Sequence, residues 1–494
     1  MSELDIQRQH RLDKIEGLRQ KGINPYPNDF RPSVSISKAL ERYEDFKEEG
    51  ESSETISVAG RLMAMRGHGK TCFAHLLGDG ARLQIYVRKD ALGDEAFNQF
   101  TDLDLGDLIG VEGKIFRTRT GELTIMVEHF RLLAKSLLPL PEKWHGLKDI
   151  ETRYRQRYLD LFSNLEARDI FLLRSRMINS IREFFNNMGF MEVETPMMQA
   201  IPGGAAARPF KTFHNALNRE LYLRIAPELY LKRLIIGGFD RVYELNRNFR
   251  NEGLSTEHNP EFTMLEFYMA YADYKDLMQL TERLFCELAK KIKGTLTWEY
   301  QGHQMDFGSP WKCLSMREAI LEYTDLTESD LNDRAILVQE IMGKELETPL
   351  TGKESQGKLL MKLFEALVEP NLIQPTFIID FPKDVSPLAR SKDSNPDLVE
   401  RFELYIAGKE LANAFSELND PIDQKKRFLR QVEEVDEEGL VKRVDEDYIH
   451  ALEYGLPPTA GEGIGIDRLI MIFADVPSIR EVILFPQLRE IQRP

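Results

Sequence analysis

From Ile56 to Lys135 the chain is written in short alternating runs divided by glycine-bearing turns: ISVAGRLMAMR, KTCFAHLLGDG, RLQIYVRKD and DLIGVEGKIFRTRTGELTIMVEHFRLL. Successive side chains on a strand point to opposite faces, so each run offers one apolar face to a core. Five such strands in about eighty residues suit a small barrel. Ahead of them Leu4, Ile6, Leu12, Ile15 and Leu18 sit among charges in an amphipathic helix, closed by Gly22 and the turn-forming NPYP of 24–27.

The strand count and glycine turns fit an OB-fold, whose strand face and loops bind single-stranded nucleic acid. The whole chain, with 65 basic and 81 acidic residues and a net charge of -16, speaks against phosphate as a general partner. The barrel window differs, with eleven Lys and Arg against ten Asp and Glu. The acidity lies elsewhere, and this module is the part most able to approach phosphate.

At 494 residues two or more domains are expected, and 42% apolar with 30% charged residues fits a soluble globular protein. No segment has the roughly 18–20 uninterrupted apolar residues of a membrane span. The charged opening MSELDIQRQHRLDKIEGLRQKG reads as neither a secretory signal nor an anchor, so a cytoplasmic location without membrane contact is expected. Cys72, Cys286 and Cys313 show no C-x-x-C spacing and read as reduced packing residues.

The domain reading places an N-terminal helix and lead-in at 1–55, the barrel at 56–136, a linker around LLPLPEKWHGL at 137–153, and a large unit at 154–494. Within that unit RDIFLLRSRMINSIREFFNNMG reads as a helix, and FMEVETP as a strand stopped by Pro196. LYLRIA, DRVYELNRNFR, EFTMLEFYMAY, TFIIDF, RFELYIAG and ANAFSEL follow as antiparallel strands, interrupted by a helical insertion at about 328–372. The fold class is α+β.

Several strands carry chemistry on one face. Arg250 and Glu252, two apart in FRNEGLSTEHNPEF, share a face if the stretch is extended. Glu266 and Tyr268 do so in MLEFYMA, and Asn413, Phe415 and Glu417 in ANAFSEL. Singly, each set also fits a solvated sheet face. Together, on strands rich in Phe, Leu, Met and Tyr, they point to a buried polar site, because unpaired burial is costly. Glu403 and Glu410 flank a turn at Ala407-Gly408, so a hairpin would bring together two carboxylates of the kind Mg²⁺ takes with phosphates; two surface acids fit equally well. In GEGIGIDR, Gly461, Gly463 and Gly465 precede Asp467 and Arg468, permitting close backbone approach by a ligand and an arginine in the first helical turn. Neither the Rossmann nor the P-loop fingerprint occurs.

GFMEVETP, FRNE with HNPEFT, and GEGIGIDR resemble, in that order, the three signature motifs of class II aminoacyl-tRNA synthetases. The barrel, with KGINPYP, RYRQRYLDL, IPGGAAARPF, RIAPELYLKRL, NRNFRNEG, NAFSELNDP and GLPPTAGEGIGIDR, is similar to the lysyl branch of the aspartyl, asparaginyl and lysyl subgroup over residues 5–490. The resemblance implies an antiparallel catalytic sheet of six or seven strands flanked by helices, in a homodimer. It implies that ATP and L-lysine form a lysyl-adenylate, and that tRNA(Lys) receives the acyl group.

Carried over by position, Arg250 would hold the ATP α-phosphate and the substrate carboxylate, and Glu252 and Phe262 would bind adenine. Arg468 would cover the other adenine face, and His258 would meet the triphosphate tail. Many relatives have an arginine where this chain has Glu257. The lysine pocket would comprise Gly204, Glu228, Arg250, Glu266, Tyr268, Asn413, Phe415, Glu417 and Gly463. Magnesium would sit on Glu403 and Glu410, with Glu403 also counted among the ATP contacts. Arg66, Phe73, Gln84 and Glu128 would read the anticodon by stacking and hydrogen bonding. An acidic pocket suits the lysine ammonium, whereas an aspartate pocket needs a cation. The rival readings are an aspartyl- or asparaginyl-type synthetase, a ligase that lysylates protein, and a non-catalytic tRNA-binding paralogue.

Overall fold

The structure, a computed structural model, describes residues 2–46, 50–141, 147–205, 207–344, 350–433 and 444–490. Residues 1, 47–49, 142–146, 206, 345–349, 434–443 and 491–494, from the expected N-terminal helix, lead-in, linker, insertion and catalytic domain, lie outside the described residues. Two compact units emerge, Met1–Asp169 and Ile170–Pro494. The first runs past the expected start of the large unit at Tyr154. The short helices Ile150–Arg155 and Arg157–Ser163 belong with the barrel, as the Arg61 guanidinium stands 4.8 Å from the centre of the Phe162 ring. Arg168 also pairs with Asp79 at 2.9 Å.

In the first unit, the helix Glu3–Gln20 starts with a capping box between Ser2 and Asp5. Strands β1 (Glu51–His68), β2 (Thr71–Gly78), β3 (Ala81–Arg88), β4 (Leu108–Arg117) and β5 (Leu123–Ala134) close a barrel in the order β1-β2-β3-β5-β4. Closure rests on the length of β1. Its first half pairs with β4 and its second half with β2, around a bulge between Leu62 and Ala64. Val58, Leu62, Leu76, Ile85, Ile109, Val111, Ile125 and Val127 fill the interior. Cys72 is buried there, whereas Cys313 is exposed and so departs from its expected packing role.

The second unit opens with β6 (Met191–Glu192) and a small sheet of β7 (Met198–Gln199), β8 (Lys211–His214) and β9 (Arg219–Leu223), ordered β7-β9-β8. Thus the LYLRIA strand lies outside the main sheet. Next come β10 (Arg241–Phe249), β11 (Glu261–Ala270), a ribbon of β12 (Thr297–Tyr300) and β13 (His303–Asp306), and β14 (Lys312–Ser315). β15 (Thr376–Ile379), β16 (Arg401–Ile406), β17 (Lys409–Ser416) and β18 (Thr459–Gly465) complete the set. The main sheet has eight strands in the order β14-β15-β16-β17-β18-β11-β10-β6. It is larger than the expected six or seven and not wholly antiparallel, because β14 runs parallel to β15 and β6 parallel to β10 at the two edges. The strands between β15 and β10 are antiparallel throughout.

One face of this sheet is apolar. Tyr243, Leu265, Phe267, Ile464, Ala412, Ala414, Phe402 and Leu404 pack there against the helices Tyr274–Lys293 and Ile466–Ala474. The region expected as an insertion supplies the helices Arg334–Ile341 and Gln356–Leu367. Leu337, Ile341, Leu359, Leu363 and Phe364 share a core with Ile378 and Tyr405 of the sheet.

Candidate functional site

Alternation leaves the opposite face of the main sheet polar, and register aligns its side chains in rows. Glu403, Asn413, Gly463, Glu266 and Glu244 are paired in sequence across β16, β17, β18, β11 and β10. Two residues along, Arg401, Phe415, Gly461, Tyr268 and Val242 form the next row. The polar sets on separate strands therefore meet on one surface. The Arg401 Nε donates to Asn413 Oδ1 at 3.1 Å, and its guanidinium also pairs with Glu403.

At one end of these rows lies a buried acidic pocket. Glu228 opens the helix Glu228–Ile236 directly after Pro227, where the helix N-terminus favours an acid. One turn on, Lys232 reaches Glu228 Oε1 at 2.5 Å and also contacts Glu417. The Lys232 ammonium stands 5.4 Å from the centre of the Phe415 ring and is fully buried. Glu417 is 2% exposed; its Oε2 meets the Lys232 ammonium, and its Oε1 has no hydrogen-bond partner among the described residues. Gly461 is required here. A Cβ on it would stand 2.2 Å from the Tyr268 ring and 2.4 Å from Glu417 Oε1, so this glycine makes room for side chains rather than for a ligand. Gly204, at φ +88°, packs its backbone against Glu228 and Ala226.

Burial dominates the electrostatics of this pocket. It raises the carboxyls of Glu228 and Glu417, with Lys232 opposing the rise. It lifts Glu266 to about 8, helped by Glu228 and resisted by Arg224 and Arg250. The Tyr268 phenol is held far above its usual range by burial and then by Glu228, Glu266 and Glu417, so it remains a donor.

The FRNE stretch departs from the simplest expectation. Strand β10 ends at Phe249, so Arg250 and Glu252 lie just beyond it and share no strand face. Arg250 is held by its amide, which donates to Pro260 O at 2.9 Å. Its guanidinium stands 5.1 Å from the centre of the Phe262 ring, and its Nε has no hydrogen-bond partner among the described residues. Glu252 is exposed. Arg468 joins the loop to the hairpin, donating from Nη1 to Glu410 O at 2.7 Å and lying 3.0 Å from His258 Nε2 through Nη2. Ser255 Oγ orients the other ring nitrogen of His258 at 3.0 Å. Glu257 pairs with Lys409.

The hairpin between β16 and β17 turns through Ala407 and Gly408, both with positive φ, as a type I′ turn demands. It carries Glu403 and Glu410 as expected, but Glu403 is already engaged by Arg401 and by the Tyr405 hydroxyl, which donates at 2.5 Å. Burial lifts Glu403 to about 7, with Arg401 opposing and Glu410 adding to the rise. Among the described residues no three acidic, histidine or cysteine side chains are grouped to hold a metal ion.

On the barrel, Arg66 pairs across strands with Phe73, and Phe73 stacks on Tyr86 with ring centres 4.3 Å apart. Phe73 is 36% exposed. Gln84 is fixed by Glu122 at 2.7 Å and Thr124 at 2.8 Å. Glu128 lies two residues along β5 from Met126, the register partner of Tyr86, and accepts from Thr55 at 3.4 Å.

Sequence reasoning missed several supports. Arg174 donates to Asp467 at 2.5 Å and to Thr263 at 2.9 Å, while Asp467 accepts from the Thr263 amide at 2.7 Å. This tie fixes the start of the Arg468 helix beside Phe262. Lys232, Arg401, and Glu369 with its carboxyl raised to about 8 by burial and by Glu410 and Glu403, were also missed. The i,i+4 spacing of Glu228 and Lys232 was the one available signal.

Family models match both units. Residues 149–489 match the class II tRNA synthetases (D, K and N), and residues 56–133 match the OB-fold nucleic acid binding domain. A lysine–tRNA ligase of Carboxydothermus hydrogenoformans is 54% identical over 482 residues, covering 97% of each chain. One of Magnetococcus marinus is 54% identical over 485 residues, covering 96% of this chain and 95% of its own. One of Legionella pneumophila (strain Lens) is 53% identical over 488 residues, covering 97% of each. The chain belongs to the class II tRNA synthetases of the D, K and N group, among the lysine–tRNA ligases.

Proposed function

We propose that the chain joins L-lysine to the 3′ end of tRNA(Lys) in two steps. The lysine carboxylate attacks the ATP α-phosphorus, forming an O–P bond as the bond to pyrophosphate breaks. The terminal 3′-hydroxyl of the tRNA then takes the acyl group and AMP leaves. No covalent bond to the protein is required, so catalysis is positioning and charge neutralisation.

The observation that carries this reading is the buried Glu417, whose Oε2 meets Lys232, whose Oε1 has no hydrogen-bond donor among the described residues, and which lies beside a phenol that remains protonated. Those acceptors suit the three donors of a lysine ε-ammonium. Glu228 takes the α-ammonium, while Glu266, Asn413, Phe415, Gly204 and Gly463 shape the cavity. Arg250, whose Nε has no partner among the described residues, takes the substrate carboxylate and the α-phosphate oxygens. Phe262, Glu252, His258 and Arg468 bind ATP.

Glu403 and Glu410 would hold a magnesium ion together with ATP phosphates. The two carboxylates repel each other, and Mg²⁺ takes one or two protein carboxylates in such sites rather than a full protein cage. When bound, the ion neutralises phosphate charge. On the barrel, Phe73, Gln84, Arg66 and Glu128 form the anticodon surface. The protein acts as a homodimer in the cytoplasm; among the described residues no helix is long and apolar enough to cross a membrane.

Pyrophosphate exchange into ATP, measured with each of the twenty amino acids and Mg²⁺ but no tRNA, tests the pocket. Exchange with lysine alone is expected. Exchange with aspartate or asparagine would overturn the substrate, and exchange with none would overturn the reaction.

A further inference from the structure

Lys232 has no part in the mechanism above, yet it is fully buried between two of the carboxylates assigned to the substrate. A buried cation is retained only if its surroundings pay for its desolvation. Burial works against its charge, but Glu228 and Glu417 outweigh it and hold the ammonium protonated.

The charged groups around the pocket can be counted. The Glu228, Glu244, Glu266 and Glu417 carboxyls are all buried. Arg224 meets Glu244 at 2.6 Å as a closed pair. The remaining three carboxyls face Lys232 and Arg250, and Arg224 also acts on Glu266 from its pair with Glu244. The other groups nearby are the Tyr268 and Tyr448 phenols, which stay neutral, and Arg233, whose guanidinium stacks 5.5 Å from the Tyr448 ring and pairs with Asp445 outside the pocket. With every carboxyl ionised, the empty pocket is short of one positive charge.

We propose that Lys232 is a positioning residue that bridges Glu228 and Glu417 and sets the pocket's charge deficit at one, so that an amino acid of net charge +1 neutralises it. The proposal rests on the lysine-pocket reading. It explains selectivity beyond local contacts: a neutral amino acid leaves the deficit standing, and an acidic one deepens it. It also couples binding to protons. The empty pocket meets its deficit by keeping a carboxyl protonated, and Glu266, at about 8, is the group raised into the neutral range. Lysine brings its own charge and expels that proton. Because the ligand favours the deprotonated carboxyl, lysine affinity falls as pH drops below that value. Loss of the Lys232 charge raises the neighbouring carboxyls further and moves the fall to higher pH.

Calorimetric titration of lysine into the full chain at pH 7, in buffers of different ionisation enthalpy, should show release of close to one proton. Release of none, or of nearly two, would overturn the count. The lysine KM in pyrophosphate exchange, followed from pH 6 to 9, should have its midpoint shifted upward by a unit or more in Lys232→Met and restored in Lys232→Arg. A packing role alone would raise KM equally at every pH, and that result would overturn the proposal. If Lys232→Met does not fold, the calorimetry on the unmodified protein decides. Absence of lysine-dependent exchange in the unmodified protein would instead refute the pocket reading itself.

Discussion

Replacing Glu417 with glutamine changes almost no volume and removes one charge. The side chain is 2% exposed, with Oε2 against the Lys232 ammonium and Oε1 without a hydrogen-bond donor among the described residues. Removing one partner of a buried charged pair costs about 3–5 kcal/mol, and a hydrogen bond to a charged group contributes about 1.5–3 kcal/mol. Glutamine keeps one acceptor, so a loss near the lower bound of the first range, about 3 kcal/mol, is expected for lysine binding. At about 1.4 kcal/mol per factor of ten, this raises the lysine KM roughly 100-fold. The KM for ATP should hold, because the phosphate and adenine groups His258, Phe262 and Arg468 lie in the motif loop, at the start of β11 and in the Arg468 helix rather than in the Glu417 pocket. Initial rates of pyrophosphate exchange with lysine and ATP varied in turn separate the two constants. A lysine KM changed by less than about fivefold, or an ATP KM that rises in step, would refute the assignment of Glu417 to the ε-ammonium.

Other residues offer sharper separations of role. Arg250→Ala should abolish adenylate formation while leaving the protein folded, so exchange near the unmodified rate would remove Arg250 from the reacting centre. Asp467→Asn removes the charge that Arg174 pairs with, leaving it Thr263 and Val482, and loosens the start of the Arg468 helix; a loss of about 1.5–3 kcal/mol in denaturation, together with a lower kcat, is expected. Unchanged kcat at lowered stability would show that the tie serves folding alone. Phe73→Ala should raise the tRNA KM by the worth of one base stack, about 1–3 kcal/mol, and leave lysine-dependent exchange untouched. Equal aminoacylation by both proteins would take Phe73 out of the anticodon surface.

How the sequence announces this site depends on which elements carry it. Glu266 with Tyr268, and Asn413 with Phe415 and Glu417, were legible because the strand period is fixed at two and any residue two positions along shares the face. Register across strands was not legible, and it is register that sets Glu403, Asn413, Gly463, Glu266 and Glu244 in one row. The same limit explains Gly461. An alternating glycine run suggests backbone open to a ligand, but the neighbours that demand glycine are Tyr268 and Glu417, which are remote in sequence. The edges of the sheet also escaped, since FMEVETP gives only two residues of parallel strand before its proline, and a run that short carries no periodicity.

Lys232 shows the deeper limit. In LYLKRL a lysine beside an arginine reads as the solvent face of a helix, which is where lysine is nearly always found. Its burial depends on two carboxylates, and only Glu228 is near in sequence. Glu417 arrives from the end of β17, after most of the sheet has been laid down. Each buried acid alone would be driven neutral, and the lysine alone would be driven to the surface. Their mutual presence makes all three tolerable inside, and the charge they leave unbalanced gives the pocket its preference. A substitution that neutralises any one of them therefore alters the protonation of the other two, and pairwise variants among Glu228, Lys232 and Glu417 should be strongly non-additive in lysine KM. Additive effects across a double-mutant cycle of Lys232→Met and Glu417→Gln would mean that the three titrate independently and that the charge count does not govern recognition.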